Sequence, residues 1–385
     1  MTQRPLENLR IVEFAGLGPG PFAGQMLADL GADVIVIDRP KRGPVSLSHA
    51  VERRGKRSII LDLKSEAGRA VALDLVAWAH GLIEGFRPGV MERLGLGPER
   101  CHGVNPALVY GRMTGWGQTG PYAGMAGHDL NYIGLTGALA AMGPANAPPP
   151  PPLNLLGDFG GGSMMLVAGL LAGRLKAVET GAGSVVDAAI TDGVSALMGM
   201  IHSWHAAGRW TPERGDNALD GGAPYYRCYQ TACGGFVSVA ALEPQFHAAL
   251  LAALDIDPST HGAQHDKTRH AEQVERFAAV FAGRSRDAWM AVFEGTDACV
   301  APVLDYREMA AHKQNRARFA TEDRDGLRHP RPAPVFGAAA AVPPPEIPED
   351  GAHSAEILAM LGRDDADIAA LLATGAAHGP ASGAG

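Results

Sequence analysis

The first forty residues read as strand, glycine turn, helix, strand, and that order limits the possible folds more than any other feature of the chain. LRIVEF is a short apolar strand, GLGPGP a turn, FAGQMLADLG an amphipathic helix closed by Gly31, and DVIVID a second strand. The order recurs: RSIILDL is a strand, SEAGRAVALDLVAWA a helix opening on a Ser65 cap, and GLIEGF and ALVYGRM are further strands. Alternation of this kind predicts an α/β fold built on a doubly wound parallel sheet.

At 385 residues a single core is strained by its own size, which points to a large domain with a smaller companion. Five consecutive prolines, Pro148 to Pro152, lack backbone donors and favour an extended rod, so they mark a surface connector leading into LNLLGDFGGG. SMMLVAGLLAGRLKA and DGVSALMGMIHSWHAAG carry helical apolar spacing, and GSVVDAAI between them reads as a strand or the start of a buried helix. GGFVSVAAL then reads as a strand and PQFHAALLAALDI, HAEQVERFAAVFAG and SRDAWMAVFEGTD as helices, which places a smaller α+β domain at about 220–310. Residues 325–348 are rich in Pro and Ala, as in a long surface linker.

The formal net charge of −8 argues against nonspecific nucleic-acid binding, which depends on Lys and Arg neutralising phosphates. Cys101, Cys228, Cys233 and Cys299 are too few and too irregular for a disulfide framework, and MTQRPLENLR has no apolar leader core, so a reducing, cytoplasmic setting is expected. The apolar run from Met164 to Gly173 falls short of the roughly 18 residues of a membrane span, and no membrane insertion is expected.

Gly18, Gly20 and Ala23 satisfy G-x-G-x-x-A, and Asp38 ends the next strand where a ribose-binding acid would sit, which keeps an NAD-dependent dehydrogenase open. Pro19 and Pro21 stiffen that turn and remove two N–H donors, a poor cradle for a pyrophosphate. Seven basic residues against Glu52 lie between Arg39 and Arg57, a local balance of +6 that follows the ends of the strands and favours a polyanionic, nucleotide-like ligand. Arg87 and Arg93 extend it. His202, His205, Cys228 and Cys233 lack the spacing of a zinc ribbon or finger, so no metal is expected. His128 and Asp129 in AGHDLNYIGLTG and Asp158 in LLGDFGGG are acid/base residues in polar loops flanked by apolar runs. A histidine and a carboxylate on opposite faces of one carbon can remove a proton on one side and return one on the other.

The segments LRIVEFAGLGPGPFAGQMLADLGADVIVIDRP, RRGKRSIILDLK, LIEGFRPGVMERLGLGPE, GHDLNYI, PPLNLLGDFGGGSM, LDGGAPYYRCY and EPQF, in that order, resemble the family III coenzyme A transferases, and among them the α-methylacyl-CoA racemase branch. The resemblance implies an interlocked homodimer. Each chain would have a large Rossmann-like domain over 1–200, joined by the tail 325–385, a linker over 201–219, a small α+β domain over 220–310 and a return linker over 311–324. It implies an isomerase acting on 2-methylacyl-CoA, with coenzyme A as part of the substrate and no separate cofactor. Arg39, the backbone of Leu61, Asp62, Leu63 and Lys64, the Gly85, Phe86, Arg87 segment and Arg93 match coenzyme A contacts, as do Gly127, Leu130, Asn131 and Tyr132 around the His-Asp pair. His128 and Asp158 match the two catalytic acid/base residues, and Glu243 matches a carboxylate that orients the histidine from the partner chain's small domain. Tyr226 and Met113 match acyl-pocket positions, with Met164, Met198 and Met200 as further candidates for a methionine-lined surface. Asp129 stands where the transferases of the family carry their nucleophile, so a CoA-transferase acting through Asp129 is the alternative activity. Asp158 is expected to be held protonated by burial while His128 is neutral.

Overall fold

Val12, Ile35, Ile59 and Leu82 are sealed from solvent, and each lies inside a strand of one sheet. In the computed structural model, which describes residues 4–41, 43, 47, 49–318, 320–324, 326–337 and 345–380, β1 (Arg10–Phe14), β2 (Asp33–Asp38), β3 (Arg57–Leu61), β4 (Gly81–Glu84), β5 (Val109–Thr114) and β6 (Ser184–Ala189) pair in parallel. Their spatial order is β3-β2-β1-β4-β5-β6. The order reverses between β1 and β4, so the loops leaving these two strands diverge and open a crevice at their C-terminal ends. Helix α1 (Pro19–Asp29) has Pro19 in its first turn, where a missing N–H costs nothing, and α2 (Glu66–Trp78) is capped by Ser65 Oγ, which accepts the Gly68 N–H at 2.9 Å.

Two compact units divide the chain, one of residues 1–136, 152–197 and 317–385 and the other of 137–151 and 198–316. In the first, α2 lays Val71, Ala72, Leu75 and Val76 against Val12, Ile35 and Ile59 of the sheet. The second is a three-stranded antiparallel sheet, β7 (Tyr226–Gln230), β8 (Phe236–Ala240) and β9 (Val300–Val303), backed by helices Pro244–Ala253, His270–Phe281 and Arg286–Phe293. Its core is aromatic: the Tyr229 ring stacks on Phe281 with centroids 5.2 Å apart, and Trp289 Nε1 donates to the Phe281 carbonyl at 2.9 Å.

Several elements differ from the sequence reading. Asp158 lies not in a loop but in a π-helical turn, Leu155–Ser163, that runs on into helix Met164–Thr180. The resulting 26-residue helix is long and apolar enough in composition to cross a membrane, but it packs on β5 and β6, where Gly169 and Gly173 let it approach Val186 and Val109. The tail also holds more structure than a linker. Leu327–Pro330, inside the stretch read as a linker, pairs with Thr321–Arg324 in a hairpin; beyond that stretch, Ala377–His378 adds an antiparallel strand to the edge of β3.

The +6 charge patch is mostly consumed by the fold. Arg53 pairs with Asp38 and Asp350, Arg54 with buried Asp29, Arg57 with Asp33 and Glu356, and Lys56 with Glu13. These carboxylates lie outside the segment Arg39 to Arg57, so its local balance overstates the free charge. Arg39 and Lys41 stay exposed, and Arg42 lies outside the described residues. Lys56 Nζ donates to Glu13 Oε2 at 2.7 Å and to the Pro21 carbonyl at 2.8 Å, with both side chains at most 2% exposed.

A buried charge that loses its partner keeps its desolvation cost and loses the compensation. Lys56→Met should therefore lower the unfolding free energy by about 3–5 kcal/mol, and Lys56→Met with Glu13→Leu by clearly less. Urea denaturation of the two variants checks this; equal losses would mean that the Pro21 contact, not the ion pair, carries the effect.

Candidate active site

The crevice between β1 and β4 holds a cavity of about 350 Å³. Its walls are the β1–α1 loop (Gly16 to Pro21), the β4 exit (Gly85 to Pro88), the β5 exit (Met113 to Trp116), and Gly127, His128, Tyr132, Asp158 and Ile190. A second cavity of about 270 Å³ shares Gly16, Leu17, Gly85 and Phe86 with it and adds Asp38, Arg39, Lys41 and Asp350. The Arg39 guanidinium lies 5.2 Å from the Phe86 ring centre, a cation–π contact that presents charge beside a flat apolar face. Buried Glu84 fixes this corner: Oε2 accepts the Phe86 N–H at 2.8 Å and Oε1 accepts Arg112 Nε at 3.1 Å.

His128 is exposed to the larger cavity and directly precedes helix Asp129–Gly134, its N–H donating to Asn131 Oδ1 at 3.1 Å. The Tyr132 hydroxyl donates to the Gly127 carbonyl. Its ring occupies space that only glycine leaves open, since a Cβ on Gly115 would sit 2.0 Å from the ring. Asp158 faces the same cavity from the π-helical turn. Its N–H donates to Asp129 Oδ2 at 2.7 Å, and Ser163 Oγ ties the turn to α1 by donating to the Pro19 carbonyl at 2.7 Å. Gly18 has φ 72°, in the left-handed region, and a Cβ there would meet Asp158 Oδ2 at 3.1 Å. Burial raises the Asp158 carboxyl to about 6, the nearby Asp129 charge pushes the same way, and the Asn154 hydrogen bond and His128 oppose them. A π-helical turn, rare elsewhere, is frequent where a side chain must be aimed into a site.

The structure brings His128, Asp158, Gly127, Tyr132, Gly85, Phe86, Arg87 and Met113 together around the larger cavity, and Arg39 around the adjoining one. Leu130 and Asn131 face a separate hollow with Trp116, Tyr122 and Leu135. Asp129 is 8% exposed and lines neither cavity. Leu61 is a core side chain whose backbone pairs with Ala377, and Leu63 packs partly against the same core, which leaves Asp62 and Lys64 as the outward part of that segment; with Arg93 all four stand outside both cavities. Met164 is exposed on its helix, and Met198 and Met200 belong to the second unit. Tyr226 opens β7, and exposed Glu243 directly precedes helix Pro244–Ala253, both in the second unit. Sequence reasoning missed Trp116, Glu84, Asn154 and Ser163. Gly115-Trp116-Gly117 directly after β5 was the available signal, an aromatic in a glycine loop at the ligand end of a parallel strand. Among the described residues no group of three or more His, Cys, Asp or Glu is arranged to hold a metal.

Fold and site together define an α/β protein with an acid/base pair in the crevice of a parallel sheet, beside a pocket with cationic and aromatic walls. The chain belongs to CoA-transferase family III, whose model matches residues 6–354. It is 42% identical over 366 residues to the alpha-methylacyl-CoA racemase of Mus musculus, covering 94% of this chain and 95% of that one. With the Homo sapiens alpha-methylacyl-CoA racemase it shares 41% over 362 residues, 93% of each chain. The crystal structure of a CAIB/BAIF family protein from Brucella suis superposes with a TM-score of 0.79 at 27% identity, covering 93% of this chain and 99% of that one.

A carboxyl raised in the folded state stabilises the fold at pH values below its unfolded pKa, and that contribution is lost as pH rises through the folded value. Asp158 should lose its contribution between its ordinary value of 3.8 and about 6. Asp158→Asn, which cannot ionise, should therefore melt higher than the wild type at pH 7.5, with the difference shrinking toward pH 4. Thermal melts across that range test it, and a variant less stable at pH 7.5 than at pH 4 relative to wild type would refute the assignment.

Proposed function

We propose that the protein is an α-methylacyl-CoA racemase, interconverting (R)- and (S)-2-methylacyl-CoA by a 1,1-proton transfer. The observation that carries this is the pair of proton-transfer groups on one cavity, His128 at the mouth of a helix and Asp158 held toward its protonated form. The racemase names of the mouse and human relatives support the substrate class.

The thioester acidifies the α-proton, so side-chain bases can reach the enolate. His128 takes the proton from the (S) isomer and Asp158 delivers one to the opposite face; the reverse direction exchanges the roles. Helix Asp129–Gly134 begins beside the cavity, and the Asp129 N–H, in the first turn where helix N–H groups have no intrahelical acceptor, is the proposed partner of the enolate oxygen. Arg39, with Phe86 beneath it, takes the nucleotide end of coenzyme A; Asp62, Leu63 and Lys64, with Leu61 behind them, and Arg93 extend that binding surface beyond the cavities. The groups named are side chains and backbone of the protein, and coenzyme A enters as part of the substrate.

In this reading two chains interlock, each with a Rossmann-like large domain, and the partner's small domain brings a glutamate equivalent to Glu243 to orient His128 and a tyrosine equivalent to Tyr226 to the acyl chain. The transferase alternative fits less well. Its nucleophile would be the Asp129 carboxylate, which is buried and already accepts the Asp158 N–H.

Incubating the protein with a single 2-methylacyl-CoA epimer in heavy water should give α-deuterium in both epimers. His128→Ala or Asp158→Ala should cut the rate roughly 10²–10⁴-fold. Transfer of coenzyme A to a free carboxylate, lost in Asp129→Ala and without α-exchange, would establish the transferase instead.

A further inference from the structure

Asp129 carries a buried side chain that neither cavity uses. Only 8% of it is exposed; Oδ2 accepts the Asp158 N–H at 2.7 Å, and Oδ1 is buried without a hydrogen-bond partner. Gly157 makes the approach possible, because a Cβ there would stand 2.3 Å from Oδ2. A half-satisfied buried carboxylate is costly, and surrounding structure retains such a group only where something is gained by it.

We propose that the Asp129 side chain is a positioning residue that joins the helix preceded by His128 to the π-helical turn carrying Asp158, and so fixes the separation of the two proton-transfer groups. This inference rests on the racemase reading and adds to it a role for the side chain, separate from the Asp129 N–H. His128 and Asp129 are neighbours in sequence, so one hydrogen bond transmits the setting of one group to the other. The charge matters as well as the bond. Asp129 is a negative group facing Asp158; His128, Asn154 and Tyr132 are polar groups near it, Ser163 Oγ donates to its carbonyl, Arg87 lines the same cavity, and Gly18 of the β1–α1 loop lies against it. The Asp129 charge therefore favours the proton-holding form of Asp158, acting in the same direction as burial. A nucleophile would need a free, approachable oxygen; this carboxylate is built to stay behind the reacting surface.

Asp129→Asn keeps the shape and an acceptor for the Asp158 N–H but removes the charge. Two measurements test the proposal. The first is the pH profile of kcat and KM for epimerisation. With the (R) isomer as substrate, for which Asp158 is the base, the acid limb of kcat should move lower by roughly one pH unit in Asp129→Asn, as expected when a like charge is removed from a coupled pair, with KM within about twofold of wild type. Gly157→Ala, which leaves the carboxylate but forces it away from Asp158, should lower kcat by up to about 10²-fold with KM again little changed. The second measurement does not depend on turnover: a carbon-13 titration of the Asp158 carboxyl, assigned by its loss in Asp158→Asn, should fall in midpoint between wild type and Asp129→Asn. An unchanged midpoint overturns the proposal even if the enzyme races. Absence of α-exchange in the wild type overturns the racemase reading, and the carboxyl titration then still decides whether Asp129 sets Asp158.

Discussion

The ammonium of Lys56 sits where three parts of the molecule meet. It neutralises Glu13 on β1 and holds the Pro21 carbonyl in the first turn of α1, just beyond the end of the strand. That turn is the next link, because the Pro19 carbonyl accepts Ser163 Oγ and Gly18 lies against Asp158. Three short hydrogen bonds thus link the buried centre of the sheet, through the first turn of α1, to the π-helical turn that carries Asp158. Ion pairs of this kind add little net stability compared with an apolar isostere, but they specify one arrangement of the groups that meet there. Here the specified arrangement is the height of the β1–α1 loop over the sheet, which sets the floor of the crevice.

The parallel sheet was legible because its strands are apolar runs punctuated by glycine and by caps that act locally: Ser65 stops one strand and starts α2 without help from elsewhere. His128 and Asp158 were legible as acid/base residues, and the family resemblance assigned them a shared role. What stayed hidden depends on contacts distant in sequence. The edge strand Ala377–His378 exists only because β3 presents unpaired backbone to it. The π-helical turn has the composition of a glycine loop and becomes helical because its small residues let the neighbouring helix Ile190–Leu197 pack against it. The charge patch failed as a guide for the same reason: Arg53, Arg54, Lys56 and Arg57 find Asp38, Asp29, Glu13 and Asp33 across the fold, and no window along the chain can count such partners.

Local rules break where the proposed chemistry lies. Asp129 Oδ1 and Trp116 Nε1 are both buried without partners, the Gly18 backbone is left-handed, and the Asp158 carboxyl is raised toward neutrality. Each departs from what a stable core would select, and they cluster around one cavity while the sheet behind it follows the rules closely. Such a distribution is what a site produces when the surrounding structure over-determines it, as the Lys56 contact and the Glu84–Arg112 pair do on its two sides.

The same logic explains the most membrane-like feature of the chain. The helix from Leu155 to Thr180 is apolar over a length that could span a bilayer, and Leu155, Met164, Leu175 and Val178 are more than half exposed on a single chain. A spanning helix would not carry Arg174, Lys176 and Glu179 in its last turns, nor press its inner face onto the strands of a sheet. Exposed apolar surface on a helix whose other face is fixed in a core is surface that another protein chain can cover. A second copy of the chain supplies that cover in the proposed interlocked dimer, which is also the arrangement that the proposed role of Glu243 requires. On that proposal, the placing of a partner's glutamate beside the proton-transfer groups and the shielding of this helix would have the same answer.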